Sequence, residues 1–211
     1  MKKSLFALFA TAALMLLAAT ASATLVPPFT TSPPVGLSSI SSLPTGTLVA
    51  QTGDVGFSFG TPDNPAKNMG TLSENVYRDS SGFLFFVFQI KVTGGAFGDI
   101  ERLSTGDWDN SIAIDAQQYA TGSDVTATSV DRNGLGTLGI NWSPILVKGQ
   151  ASSFVVLYTD ATEVVPGKLG LIDSGSNPSI DGFVAATPEP ATLTLLGLGL
   201  FGLALRKKAR K

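Results

Sequence analysis

The chain has 211 residues, 14 of them basic and 16 acidic, with no histidine and no cysteine. Without an imidazole there is no Ser-His-Asp triad, Cys-His dyad, HExxH zinc site or ordinary neutral-pH general base. Without a thiol there are no disulfides or thiolate metal centres, so the expectation is a noncatalytic protein without a cofactor, held together by its apolar core.

In chain order, Lys2 and Lys3 precede an apolar run over residues 5–19 and the small-residue triplet Ala21-Ser22-Ala23. These are the three parts of a secretory signal peptide, which predicts passage through the Sec translocon and cleavage by signal peptidase after Ala23. Residues 24–46 follow, rich in Pro, Ser and Thr (Pro27, Pro28, Pro33, Pro34, Pro44) and poor in charge. Such composition favours extended conformations and reads as a mobile linker, although Leu25, Val26 and Phe29 have the character to dock on a domain.

From 47 to 186 the pattern is short β-branched and aromatic runs separated by Gly, Asp, Asn, Pro and Ser, the signature of an antiparallel β-sandwich. Strands are expected at 48–51, 55–59, 71–77, 83–92, 112–115, 125–130, 138–142, 153–158, 167–172 and 180–185. The strongest is 83–92, where Leu84, Phe86, Phe88, Ile90 and Val92 line one face and Phe83, Phe85 and Val87 the other. Apolar residues on both faces predict a central strand covered on both sides, or one face packed on a partner. Turns are expected at Ser80-Ser81-Gly82, Gly94-Gly95, Asn133-Gly134 and Pro166-Gly167.

Within this domain Asp107-Trp108-Asp109-Asn110 is the densest acidic cluster, and with Asp99, Glu101 or Asp115 it has the oxygen ligands calcium prefers. It is not an EF-hand, because Ile112 stands where that loop needs glycine and Gln118 where it needs the bidentate glutamate. A solvated loop is the ordinary reading, and a calcium- or polysaccharide-binding adhesin-like module is the alternative; Trp108 and Trp142 could stack on sugar rings there, although an aromatic in a strand-rich domain is more often core or strand packing. Asp107 with Asp109, or Asp160 with Glu163, are the carboxylate pairs a glycosidase would need.

Residues 191–205 form an apolar stretch followed by Arg206, Lys207, Lys208, Arg210 and Lys211. As a helix the stretch spans about 22 Å against a hydrocarbon core of about 30 Å, so snorkelling basic side chains are needed for a single transmembrane span. The basic cluster acts as the stop-transfer signal and keeps the tail cytoplasmic, which places the sandwich outside the inner membrane. With both ends set aside, residues 24–190 hold seven basic against sixteen acidic residues, a net charge of −9, and nucleic acid is not an expected partner.

Just before the apolar stretch stands Pro188-Glu189-Pro190, with two fixed φ angles and two missing backbone donors. It is a stiff, extended recognition strip carrying one carboxylate. The motif, the apolar span and the basic cluster together, over residues 188–211, resemble a PEP-CTERM sorting signal, with Thr187 where many members carry Val. The resemblance implies recognition by exosortase, a membrane transpeptidase of Gram-negative bacteria, cleavage near the motif, and delivery to the cell surface or to the extracellular polysaccharide of a biofilm matrix. Together with the patterns above, the expected domain layout is 1–23 signal peptide, 24–46 linker, 47–186 sandwich and 187–211 sorting signal. The strands around Gly70-Thr71-Leu72-Ser73, Asn75-Val76-Tyr77-Arg78-Asp79 and Ser153-Phe154-Val155-Val156-Leu157 also resemble β-rich members of that family.

Overall fold

The computed structural model describes residues 34–61, 64–94, 100–172 and 178–186. The expected signal peptide, the apolar span at 191–205 and the motif itself lie outside them, and no helix among the described residues is long and apolar enough to cross a membrane.

Eleven strands fill the described chain: β1 (Ser38–Ser39), β2 (Thr47–Thr61), β3 (Asn64–Arg78), β4 (Leu84–Gly94), β5 (Ile100–Thr105), β6 (Ile114–Tyr119), β7 (Ser129–Arg132), β8 (Leu138–Leu146), β9 (Phe154–Thr159), β10 (Glu163–Ile172) and β11 (Ser179–Ala186). They form a six-stranded sheet in the order β1-β6-β9-β4-β3-β2 and a five-stranded sheet in the order β11-β10-β5-β8-β7. The named strand pairs are antiparallel except β1 with β6, which is parallel.

Period-two alternation explains why the sheets stack. Leu72 and Val76 of β3, Phe86, Phe88 and Ile90 of β4, and Val155 and Leu157 of β9 share one buried cluster with Leu103, Ile140, Leu169 and Val184 of the other sheet. Removing that apolar area from water is the main favourable contribution, at roughly 25 cal/mol per Å².

The double-sided apolar pattern of β4 has the consequence expected of it. Its second face carries Phe85 and Val87, which with Val156 make a separate buried cluster on the outside of the six-stranded sheet. Ile40 and Leu43, from the stretch expected to be a mobile linker, pack onto that cluster. Phe83 precedes the strand and is largely exposed.

Residues 35–46 therefore have two structural jobs. Val35 exchanges both backbone hydrogen bonds with Val130 of β7, at 2.9 and 2.8 Å, and Ile40 donates to the Gln118 carbonyl of β6 at 2.9 Å. β6 and β7 belong to opposite sheets, so this segment joins the sheets along one margin, with Leu37 packed against the core. The chain then crosses the outer face of the six-stranded sheet to reach β2. Gly46 passes so close that an added Cβ would stand 2.7 Å from the Arg78 carbonyl oxygen and 2.8 Å from the Phe85 ring.

Several expectations are corrected by local chemistry. The strands at 48–51 and 55–59 are one strand, because the Thr52-Gly53 break is a bulge: Gly53 takes φ 68° and the Thr52 hydroxyl accepts the Glu74 amide at 3.0 Å in place of a ladder bond. Pro166-Gly167 is not a turn but lies inside β10. Only Leu169–Ile172 pair with β5, so the missing Pro166 donor removes no bond on that side, and Gly167 faces Gly182 because a Cβ there would meet Val184 at 2.5 Å. In the Asn133 turn the left-handed residue is Gly136, at φ 79°. β5 is absent from the expected strands, since Ile-Glu-Arg-Leu-Ser-Thr lacks an aromatic or β-branched run, yet it is central in its sheet.

Candidate functional site

The acidic loop is organised from within. Asp107 sits in the left-handed region at φ 66° and turns Trp108 inward, where its ring lies 4.8 Å from that of Phe86 and its Nε1 donates to the Thr105 hydroxyl. Trp108 is 2% exposed and Trp142 4%, so both sugar-stacking candidates are core residues. The Asp109 carboxylate accepts the Ser111 amide at 2.9 Å and the Ser111 hydroxyl at 2.8 Å, and Asn110 Nδ2 donates to the Gly134 carbonyl at 2.7 Å.

Behind the loop lies Arg132, 1% exposed at the end of β7. Its guanidinium donates to the carbonyls of Ile112, at 2.7 Å, and Asp109. Burial pulls its pKa down, and the charges of Asp109 and Asp160 oppose that pull. Asp160 in turn accepts the Ala113 amide at 2.9 Å. The acids of this region thus brace loops around an internal cation.

Among the described residues no group of three or more His, Cys, Asp or Glu is placed to hold a metal. Asp115 accepts from Gln117 at 2.9 Å on β6, Glu101 is exposed on β5, Glu163 is exposed at the start of β10, and Asp99 lies outside the described residues.

On the outer face of the five-stranded sheet, Arg102 grips Asp131 through both terminal nitrogens at 2.6 Å and donates to Asn141 at 2.8 Å. Gly139 makes room for it, since a Cβ there would collide with the guanidinium. Burial disfavours the Asp131 charge, but the hydrogen bonds from Arg102 and Asn141 outweigh it and hold the carboxyl below its usual pKa.

Glu74 is fully buried on the inward face of β3, between Leu72 and Val76. Its Oε2 accepts the Phe183 amide at 2.8 Å, and its Oε1 has no hydrogen-bond partner among the described residues. Desolvation pushes its pKa up to about 8, which the Phe183 hydrogen bond only partly opposes. The alternation Leu72-x-Glu74-x-Val76 already assigns Glu74 to the core face, as Val130-x-Arg132 does for the arginine.

The outer face of the six-stranded sheet carries a cleft of about 290 Å³ between residues 43–46 and Asn75, Tyr77, Val87 and Phe154. Tyr77 stacks on Phe85 at 5.1 Å and 13°, Phe85 meets Tyr158 at 5.7 Å, and Phe154 stacks with Tyr119 at 6.3 Å. Burial and then the nearby Asp115 charge push the Tyr158 hydroxyl pKa up.

At the other end of the chain, β11 closes the five-stranded sheet and stays paired with β10 up to its last residue, Ala186 opposite Glu163. Pro188, Glu189 and Pro190 follow after one intervening residue, Thr187, and lie outside the described residues together with Ala21, Ala23 and the five basic residues of the tail.

Comparison with known proteins places one feature on this frame. No curated protein and no solved structure matches the chain. The family model described as the PEP-CTERM protein-sorting motif matches residues 186–211. The chain therefore carries a PEP-CTERM sorting motif, joined directly to the last strand of its sandwich.

Proposed function

We propose that the protein is an exported, noncatalytic cell-surface or extracellular-matrix protein of a Gram-negative bacterium, and a substrate of an exosortase-type membrane transpeptidase. The observation that carries the reading is the match over residues 186–211 beginning where β11 ends. The sandwich is the cargo and residues 187–211 are its handle. Pro188 and Pro190 keep the strip extended, Glu189 supplies its one carboxylate, and the apolar stretch with its basic end holds the strip at the outer leaflet of the inner membrane. The signal-peptide pattern at residues 1–23 supports the same direction of transport.

The test is the intact mass of the protein recovered from the cell surface, beside a variant with Pro188, Glu189 and Pro190 all changed to alanine. The expected wild-type mass lacks the C-terminal segment, and the variant retains it and stays with the inner membrane. Surface-exposed wild-type protein still ending in Lys211 would overturn the proposal.

A further inference from the structure

The cleft on the outer face of the six-stranded sheet has a lining whose chemistry selects a ligand. No charged side chain lines it among the described residues; its walls are Leu43, Pro44, Thr45 and Gly46 on one side and the half-buried rings of Tyr77 and Phe154 on the other, with Val87 and Asn75 between. The Asn75 side chain is half-buried and makes no hydrogen bond among the described residues, while its backbone is paired on both sides, with Gln51 and with Val87. An amide with two donors and a carbonyl is thus offered to whatever enters.

The same features weigh against other ligand classes. A peptide that binds by adding a strand needs a free sheet edge, and this cleft lies over the middle of a sheet whose ladder is complete. An anionic glycan or a nucleic acid needs cations, and none lines the cleft in a domain, residues 47–186, of net charge −8. The volume is at the lower end of small-ligand pockets, roughly 300 to 1,000 Å³. A pyranose ring fits what remains, with an apolar C–H face to lie on an aromatic ring and hydroxyls to engage an amide.

We propose that this cleft binds a neutral sugar ring of a glycan, stacked against Tyr77 and Phe154 and hydrogen-bonded by Asn75, with residues 43–46 as its other wall. The proposal stands apart from the sorting role and from the acidic loop, whose Trp108 is in the core.

The full chain is titrated with neutral hexaoses of glucose, mannose and N-acetylglucosamine and, separately, with polygalacturonate, while the amide resonances of Asn75, Tyr77, Val87 and Phe154 are followed. At least one neutral hexaose is expected to shift these four together, and Asn75→Ala to weaken binding about tenfold with an unchanged melting temperature. Because Tyr77 also packs on Phe85, Phe154→Ala is the second variant, expected to weaken binding as well. Three results would overturn the proposal: no neutral hexaose binds, binding is indifferent to both substitutions, or only polygalacturonate binds. Concentration-dependent shifts of the same residues without sugar would also overturn it, by assigning the cleft to a second copy of the chain.

Discussion

Glu74 Oε2 accepts the backbone N–H of Phe183 at 2.8 Å, and this bond ties the inward face of β3 to β11 in the opposite sheet. β2 and β11 are the end strands of the two sheets on this side, and the bulge at Gly53 sits beside the contact. The bond serves this margin as residues 35–40 serve the other.

The state of that carboxyl makes stability depend on pH in a direction unusual for a glutamate. Its folded pKa of about 8 lies above the ordinary 4.5, so the folded protein binds a proton that the unfolded chain releases. The contribution is complete below pH 4.5, falls as pH rises, and is lost above about 8, at up to roughly 1.4 kcal/mol per pH unit across the window. Glu74→Gln keeps an acceptor for Phe183 and removes the titration. Urea unfolding between pH 5 and 9 should show the wild type losing stability relative to the variant as pH rises, and parallel profiles would refute the assignment.

Arg132 serves two carbonyls that have no other route to a cation. Arg132→Met should cost about 3 kcal/mol, because the Ile112 carbonyl loses its guanidinium donor in the interior and the Asp109 carbonyl keeps only the Ile112 amide. Arg132→Lys should recover only a fraction of this, since one ammonium lacks the planar fork that reaches both. Urea midpoints of the two variants check the order, and equal stabilities would contradict it.

Gly136 and Gly149 separate two causes of a glycine requirement. Both have positive φ, 79° and 84°, but a Cβ on Gly136 would collide with the Trp108 carbonyl oxygen while one on Gly149 meets nothing within 4 Å. Gly149→Ala should cost only the left-handed backbone term, about 1 kcal/mol. Gly136→Ala should cost more, about 3 kcal/mol, and alter the near-ultraviolet circular dichroism of Trp108.

Leu37 tests the margin between β6 and β7. Leu37→Asp puts a charge where an apolar side chain packs on the core, and should cost about 2 kcal/mol. Hydrogen exchange should quicken at Val130 and Ile40, whose amides bond within the joint, while Ile90 in the middle of β4 stays protected. Uniform quickening at all three would show that the segment is not a local closure.

The sandwich was legible wherever alternation was apolar and uninterrupted. β4 shows this best, since its two greasy faces announced a cover that turned out to be Ile40 and Leu43. β5 was hidden because a strand in the middle of a sheet can present Arg102 outward once Asp131 neutralises it and Asn141 accepts a hydrogen bond from it, and local propensity knows nothing of partners 29 and 39 residues away. Core packing was the ordinary expectation for Trp108 and it holds, but the partners that bury it were not legible: Gly136 admits the backbone and Thr105 accepts the indole N–H. The sorting motif was legible in full because its chemistry is local, whereas the cleft is made from strands brought together by the fold.

The closure of the two margins also fixes how the molecule bears load. The described chain enters at the β6/β7 side through Val35 and leaves at the β2/β11 side through Ala186. The two points are offset along the strands as well as across them, since Val130 is level with Leu171 through Ile140 and Leu103 while Ala186 stands opposite Glu163 on β10, so tension between them loads the ladder obliquely, with a component in shear.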